Sequence, residues 1–225
     1  MLKEATKNFK SKIDPIFHNL FYSGIIGFFM KWGHHNLEKY NFEIDHSNVL
    51  EVGPGSEPHF RYIKKEVTNY YSVEVSDFAI NELKKLGIEN IVKYDGKKLP
   101  FENNFFDRII ISHVLEHINY PEEFIFEMMS KLKKGGILSI SLPTDPGFLW
   151  RISRSIFKLL KFKKTINITS IEYDYINALE HVNSIYNLRA IIQYHYKKNS
   201  QETYVPFKIK IANLNLFYNV HIKKI

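Results

Sequence analysis

Short apolar runs alternate with amphipathic stretches between residues 49 and 142. The runs are typical of buried strands, whereas the amphipathic stretches repeat their apolar residues at the helical period. The predicted strands are residues 49–52, 70–75, 91–94, 108–112 and 137–142. The predicted helices between them are residues 59–67, 79–86 and 121–132. This alternation predicts an α/β fold with a doubly wound, mostly parallel sheet and right-handed crossovers.

Two segments interrupt or precede this alternation. Residues 1–46 are rich in aromatic side chains, and we expect them to form a helical N-terminal addition or lid. The remaining residues, 47–225, are predicted to form one domain, since their number suits a single core with additions. Within it, residues 143–182 open with two prolines and a glycine, which predicts an insertion on the substrate side.

The C-terminal part predicts one helix and two strands. Residues 185–196 place Ile185, Leu188, Ile191 and Ile192 on one helical face. Residues 207–211 and 216–222 read as strands joined by a short polar segment, which predicts an antiparallel hairpin at the sheet edge. The complete sheet is therefore expected to have seven strands, mostly parallel, with a Rossmann-like order.

Net charge and cysteine content limit the classes of binding partner and the cellular compartment that we expect. The chain carries a net charge of +7 and no cysteine. Its lysines are dispersed in pairs, so we expect a solvated surface and no nucleic acid partner. Without cysteine there is no disulfide and no thiolate nucleophile, which fits a reducing cytoplasm. No signal-peptide pattern is found. The stretch 15–30 is too short to span a bilayer, but its aromatic content leaves a peripheral membrane location open.

A glycine-rich turn follows the first predicted strand, in the sequence VLEVGPGS at residues 49–56. Gly53 and Gly55 can adopt positive φ and allow a ligand to approach the main chain closely. Glu51 lies at the end of the strand, where its carboxylate can accept hydrogen bonds from an ammonium or hydroxyl group. The alternative at this point is an ordinary strand-to-helix turn that needs two glycines.

Three acidic residues lie at or just beyond the ends of successive strands: Glu51, Glu74 and Asp95. In an open parallel sheet, ligands bind beyond the carboxyl ends of the strands, at the switch in strand order. Glu74 follows the glycine turn by about twenty residues, a spacing at which a carboxylate can accept from both hydroxyls of a ribose. Asp95 can accept from an exocyclic amine of a purine. The set indicates a nucleoside-containing ligand.

These segments resemble the class I S-adenosylmethionine-dependent methyltransferases, in their small-molecule branch. The resemblance covers residues 47–143, where VLEVGPGS resembles the first motif of the family and YYSVEVS the second. The most specific part is YDGKKLPFENNFFDRIIISHVLEHI, which resembles the third and fourth motifs, and LKKGGILSISLP resembles the fifth strand. The resemblance implies S-adenosylmethionine as cofactor and S-adenosylhomocysteine as product.

The resemblance also implies roles for individual residues. Glu51 and the glycine turn would hold the methionine part of the cofactor, Glu74 its ribose and Asp95 its adenine. The implied cofactor-binding residues are Glu51, Gly53, Pro54, Gly55, Glu57, Glu74, Val75, Asp95, Gly96, Ser112, His113 and Leu115. Glu57 departs from the family, which has a third glycine there. Its side chain either points to solvent or supplies one more acceptor for the cofactor ammonium.

Methyl transfer from a sulfonium is an in-line displacement, so the protein must mainly align the acceptor and exclude water. A general base is needed only where the acceptor loses a proton. His113 and His181 are the candidate catalytic residues, with a structural role open for each, whereas Glu116 and His117 are expected to position neighbours. His113 and His117 are four residues apart but lack the zinc-protease motif, so no metal site is predicted.

The acceptor is expected to bind the N-terminal addition and the insertion, whose candidate substrate-binding residues are Arg151, Arg154, Tyr173 and Tyr175. Arginines there suit a phosphate or carboxylate, or form a solvated helix face. The last third of the chain resembles, more weakly, methyltransferases of bacterial surface-polysaccharide (capsule) assembly. This predicts O-methylation of a small phosphorylated or sugar-linked acceptor. The alternatives are a lipid or quinone methyltransferase at the membrane surface and a non-catalytic cofactor-binding module.

Overall fold

The computed structural model describes residues 22–96, 98–165 and 169–225, and these residues form one seven-stranded sheet in the order β3-β2-β1-β4-β5-β7-β6. The strands are β1 Asn48–Val52, β2 Asn69–Glu74, β3 Asn90–Lys93, β4 Phe106–Ser112, β5 Leu132–Pro143, β6 Ser200–Val205 and β7 Phe217–Lys223. Strands β1 to β5 pair in parallel, and β7 pairs antiparallel with both β5 and β6. The predicted Rossmann-like methyltransferase fold is confirmed.

Six α-helices are described within these ranges. They are α1 Gly24–Leu37, α2 Asp77–Lys85, α3 Pro121–Lys131, α4 Phe148–Thr165, α5 Ser170–Glu180 and α6 Ile185–Tyr196. Helix α3 has proline in its first turn, followed by Glu122 and Glu123, and ends at Lys131. Negative charge at the start and positive charge at the end of a helix stabilise its dipole, which explains why this helix was predicted well.

Helices cover both faces of the sheet. On one face, Leu50 and Ile109 pack in a core cluster with Phe124 of α3 and Leu188 of α6. On the other face, the alternate residues Val49 and Ile110 pack with Leu37 of α1 and Leu83 of α2. Because successive strand residues point to opposite faces, β1 and β4 place apolar residues on both faces of the sheet, as central parallel strands require.

The helix predicted at residues 59–67 is wrong. Only a single 3-10 turn, His59–Tyr62, is present, and Ile63 after it is extended, with φ −69° and ψ 122°. Ile63 and Val67 nevertheless pack against the core cluster that contains Val49 and Leu37. Their apolar spacing therefore reflects contacts made by an extended chain, which periodicity alone does not distinguish from a helix.

The C-terminal hairpin is present, but its first strand is β6 rather than the predicted residues 207–211. Asn215 holds those residues in a non-strand connection, because its side chain accepts from the N–H of Phe207 at 3.0 Å and donates to the carbonyls of Ile209 and Ile211 at 2.8 and 2.9 Å. The alternating apolar residues of the connection are exposed. Their alternation therefore does not mark a half-buried strand.

Helix α1 lies in the predicted N-terminal addition, of which residues 1–21 lie outside the described residues. It packs against the sheet through β5 and β7. The predicted insertion contains α4 and α5. None of the helices in the described ranges combines the length and apolarity needed to cross a bilayer.

Candidate active site

A cleft of about 470 Å³ opens beyond the carboxyl ends of β1 and β2, beside the point where the strand order reverses. Its walls come from the strand ends, from the chain after β4 and from the end of α5. The lining residues are Val52, Gly53, Val73, Glu74, Val75, Tyr94, Gly96, Val114, His117, Ile118, Asn119, Phe124, Leu179, Glu180 and Val182. Sequence reasoning missed the wall supplied by Leu179, Glu180 and Val182, because nothing local connects it with the glycine turn.

The glycine turn has the geometry that its sequence predicts. Gly53 has φ +65°, and its N–H donates to the carbonyl of Val73 at 2.9 Å. A Cβ atom at Gly53 would lie 2.7 Å from Cγ2 of Val114, so both the backbone angle and the close approach require glycine. Gly55 also has positive φ, at +60°. The turn therefore leaves main chain exposed to the cleft.

Glu74 ends β2 and lines the cleft. One carboxylate oxygen accepts from the N–H of Gly55 at 2.9 Å, and the other accepts from the N–H groups of Val75 and Ser76 at 2.7 and 3.0 Å. These bonds fix the carboxylate between the glycine turn and the start of α2. A carboxylate oriented in this way can accept hydroxyl hydrogens of a ribose in the cleft.

Glu51 is buried and supports the loop above it. Both its carboxylate oxygens accept from the N–H of His59, at 3.0 and 2.9 Å, and Oε2 also accepts from the hydroxyl of Tyr70. Burial raises the pKa of Glu51 to about 7, although these hydrogen bonds act in the opposite direction. In this arrangement Glu51 ties the 3-10 turn to β1 and β2.

Glu57 does not point to solvent, which corrects one of the two expectations for it. It is only 5% exposed. Its carboxylate accepts from Arg61 at 2.8 Å and from the hydroxyl of Tyr62 at 3.0 Å. The side chain therefore closes the loop that a third glycine would leave open. A contact with the cofactor ammonium remains a prediction.

Of the other predicted cofactor-binding residues, some line the cleft and others do not. Val75 and Gly96 line the cleft, whereas Asp95 is exposed between the two lining residues Tyr94 and Gly96. Leu115 is fully buried in the core beneath the site. Pro54 is buried in the glycine turn, and Ser112 is half-buried at the end of β4.

The two predicted catalytic histidines lie in one cluster. His113 follows β4 with φ +57°, and its N–H donates to the carbonyl of Ser141 at 3.0 Å. His181 follows α5, and its Nδ1 lies 3.0 Å from Oδ2 of Asp145. His117 joins them, because its ring centroid is 4.9 Å from that of His181. Burial, then the neighbouring imidazoles, lower the pKa of His113.

Glu116 lies at the centre of this cluster and is only 3% exposed. Its Oε1 is 3.8 Å from Nδ1 of His113 and 3.9 Å from Nε2 of His117. Its Oε2 has no hydrogen-bond partner among the described residues. Burial raises the pKa of Glu116 to about 7. The sequence reasoning gave Glu116 a positioning role, since the Leu-Glu-His motif does not show that His181 meets it.

An aromatic wall, which sequence reasoning missed, borders the histidines. The ring of Phe217 in β7 lies 5.4 Å from that of His113 and 6.0 Å from that of Trp150 in α4. Gly33 of α1 lies on the same ring, where a Cβ would be 3.3 Å from Phe217. The order of β7 in the sheet brings Phe217 beside β5, and that order cannot be read from local sequence.

The predicted substrate-binding residues do not line the cleft. Arg154 lies 3.4 Å from Asp145 and 3.7 Å from Asp174, and its guanidinium is 5.7 Å from the ring centre of Tyr173. Tyr173 is buried, whereas Arg151 and Tyr175 are exposed. Arg154 therefore already has two carboxylate partners. The roles of all four residues remain predictions.

Comparisons with known proteins agree with this geometry. Residues 50–140 match the family described as "Methyltransferase domain". The ubiquinone/menaquinone biosynthesis C-methyltransferase UbiE of Stutzerimonas stutzeri (strain A1501) is 28% identical over 185 residues, which cover 73% of this chain and 72% of the relative. The likeness of the last third to polysaccharide methyltransferases finds no support in these comparisons.

Two solved structures share the fold. An S-adenosylmethionine-dependent methyltransferase of Thermotoga maritima superposes with a TM-score of 0.61 at 16% identity and covers 96% of this chain and 100% of its own. The plantazolicin methyltransferase BpumL in complex with S-adenosylhomocysteine has a TM-score of 0.60 at 15% identity, covering 99% of this chain and 90% of its own. The matching domain, the sheet order and the cleft at its switch point together indicate a methyltransferase that uses S-adenosylmethionine, with the fold of these solved structures.

Proposed function

We propose that this enzyme methylates an apolar, hydroxylated ring of the quinol class at a membrane surface. The methyl group passes from the sulfonium of S-adenosylmethionine to a ring carbon or oxygen, the S–CH₃ electron pair remains on sulfur, and the acceptor loses one proton. The observation that carries the proposal is an exposed apolar surface beside the histidine cluster and the aromatic wall. We call this surface the apolar rim.

The apolar rim is formed by α1, the first half of α4 and the connection from β6 to β7. Its exposed members are Ile25, Phe28, Phe148, Ile152, Ile156, Phe207, Ile209 and Ile211. They surround one buried cluster, in which Val205, Leu216 and Phe217 pack against Trp32 of α1 and Trp150 of α4. Ile25 and Phe28 are 73% and 62% exposed. Exposed apolar side chains on three segments that pack on one cluster favour an interaction site over ordinary surface.

Basic side chains accompany the rim. Lys31 of α1, Arg151 of α4, and Lys208 and Lys210 of the connection are all exposed. Apolar side chains beside lysine and arginine are the combination that binds the interface of an anionic bilayer. A membrane-bound acceptor would then approach the histidines past the half-buried Trp150, which packs on Phe217 in the cluster that the rim surrounds.

The acceptor predicted from sequence, a phosphorylated or sugar-linked molecule, has weaker support. It would need a cation available in the site, whereas Arg154 is held between Asp145 and Asp174. The half-buried ring of Trp150 offers apolar surface rather than charge. The quinone C-methyltransferase UbiE, 28% identical over 185 residues, adds independent support for a quinone-like acceptor.

The test combines membrane binding with a panel of acceptors. Wild-type protein should co-sediment with phosphatidylglycerol-containing vesicles, and Phe28→Asp and Ile152→Asp should abolish that binding. Tyr194→Asp is the matched control, since Tyr194 is 85% exposed on α6, outside the rim. Release of S-adenosylhomocysteine should occur with demethylated quinols and not with sugar phosphates. Turnover of a sugar phosphate alone, without vesicle binding, would refute the proposal.

A further inference from the structure

We infer that Glu116, His117 and His181 form a binding site for one divalent transition-metal ion. Each residue offers one ligand atom, and the three atoms all lie within 4.8 Å of one another. Two imidazole nitrogens and one carboxylate oxygen form a set that suits Mn²⁺, Fe²⁺ or Zn²⁺ and leaves coordination positions open. The site joins the adjacent residues Glu116 and His117 to His181, which lies 64 positions after His117, so spacing alone does not reveal it.

The carboxylate of Glu116 is the observation that points to a ligand. It is 3% exposed, and its Oε2 lacks a hydrogen-bond partner among the described residues. A buried carboxylate oxygen without a partner is costly, whereas a cation beside it would compensate that cost. Surface carboxylates such as Glu82, which pairs with Lys85 at 2.6 Å, carry no such cost.

Both histidines are oriented by their other ring nitrogen. Nδ1 of His181 lies 3.0 Å from Oδ2 of Asp145, and Nδ1 of His117 lies 3.0 Å from the carbonyl oxygen of Glu180. When Nδ1 donates to an oxygen, Nε2 is the nitrogen that carries the lone pair. Metal-binding histidines nearly always donate their second N–H to a carboxylate or carbonyl in this way. Asp145 is therefore a positioning residue for His181.

The ligand atoms, which lie within 4.8 Å of one another, must move closer together to close around an ion. Metal–nitrogen bonds of about 2.1 Å place tetrahedral ligand atoms roughly 3.4 Å apart. The present separation of His117 Nε2 and Glu116 Oε1 is 3.9 Å. The His117 side chain is 36% exposed, so its ring has room to move toward the carboxylate.

The position of the site suggests that the ion would bind an oxygen of the methyl acceptor. His117 lines the cofactor cleft, and His113, which contacts Glu116, borders the aromatic wall through Phe217. An ion held there would lie between the cofactor cleft and the aromatic wall, with open positions for an acceptor oxygen. This use rests on the proposed function, whereas binding of the metal does not.

The test measures metal binding without turnover. Full-length protein is stripped with EDTA, dialysed and titrated with MnCl₂, while the EPR signal of free Mn²⁺ is recorded. We expect one Mn²⁺ per chain. Glu116→Gln and His181→Asn should each weaken Mn²⁺ binding at least tenfold, and Asp145→Asn about 10- to 100-fold. His195→Asn is the matched control, since His195 pairs with Glu122 outside the cluster.

Affinity for S-adenosylhomocysteine and the midpoint of thermal unfolding, both measured without metal, control for misfolding of the variants. A wild type that binds no Mn²⁺ and no Zn²⁺ at one equivalent overturns the metal site. So does equal Mn²⁺ affinity in Glu116→Gln, His181→Asn and wild type. Because neither readout needs an acceptor, failure of the quinol proposal would leave this result unaffected, and the two failures are distinguishable.

Discussion

Glu38 and Arg108 form a buried ion pair, with Oε1 of Glu38 2.8 Å from Nη2 of Arg108. Arg108 lies in the central strand β4 and is completely buried, while Glu38 directly follows α1. The same carboxylate oxygen lies 2.7 Å from Nε2 of His59. Burial acts to raise the pKa of Glu38, but the His59 hydrogen bond and Arg108 lower it to about 2. The N-terminal helix is thus attached to the sheet electrostatically.

Glu38→Gln should destabilise the protein by about 3–5 kcal/mol, because it leaves the Arg108 guanidinium buried without its counter-ion. The measurement is the free energy of unfolding from urea denaturation at pH 7. Glu82→Gln, which removes the partner of an exposed lysine at Lys85, is the control and should change that free energy by no more than about 0.5 kcal/mol. Equal effects of the two substitutions would contradict a buried, essential pair.

Acid should weaken the fold through histidines that are buried in their neutral form. Burial, then Arg108, lower the pKa of His221 to about 3, and its Nδ1 lies 3.0 Å from the hydroxyl of Ser139. Between about pH 3 and 6.5 the unfolded chain therefore binds a proton at this residue that the folded chain does not. Stability due to His221 rises with pH across this window, by up to about 1.4 kcal/mol per pH unit.

The measurement compares wild type with His221→Asn in urea denaturation from pH 4.5 to 7. The difference in unfolding free energy isolates His221, since Glu51, whose pKa is raised to about 7, contributes the opposite slope in both proteins. We expect the variant to lose less stability on acidification. Parallel pH profiles of the two proteins would show that His221 does not titrate as described.

Local sequence predicted the parallel half of the fold because each element there carries its own signal. Strands β1 and β4 are buried on both faces and each contains a short apolar run, and α3 has proline and acids at its start. Strand β6 lacks such a signal, because Gln201 and Glu202 occupy it. The connection from β6 to β7 does alternate apolar and polar residues, but its apolar residues Phe207, Ile209 and Ile211 are exposed in the apolar rim. The alternating pattern of residues 207–211 therefore predicted a strand where the chain forms an exposed apolar surface.

The cofactor cleft could be predicted from local sequence, whereas the acceptor side of the site could not. Gly53 directly follows β1 and Glu74 ends β2, and the carboxyl ends of these paired parallel strands lie side by side, so chain order fixes their proximity. Phe217 and His181 reach the site through β7 and the insertion, whose placement depends on long-range packing. Residue type and spacing carry no information about such contacts.

Gly53→Ala should impair both stability and cofactor binding, whereas Gly87→Ala should affect stability alone. Both glycines have positive φ, +65° and +81°, which costs a side chain about 1–2 kcal/mol. At Gly53 the new methyl would also lie 2.7 Å from Val114, whereas nothing lies within 4 Å of a Cβ at Gly87. We expect a larger loss of unfolding free energy for Gly53→Ala, measured in urea. Equal losses would show that Val114 moves aside freely.

Glu74→Gln should weaken binding of S-adenosylhomocysteine roughly tenfold to a hundredfold, since a hydrogen bond to a charged group contributes about 1.5–3 kcal/mol. The carboxylate already accepts from the N–H groups of Gly55, Val75 and Ser76, so it is held rigidly where it lines the cleft. An amide offers one acceptor oxygen in place of two, and its NH₂ would face an N–H donor. Isothermal titration calorimetry with S-adenosylhomocysteine measures the effect, and Glu89→Gln, at an exposed position, is the control. Unchanged affinity in Glu74→Gln would mean that the carboxylate only supports the glycine turn and does not hold the ribose.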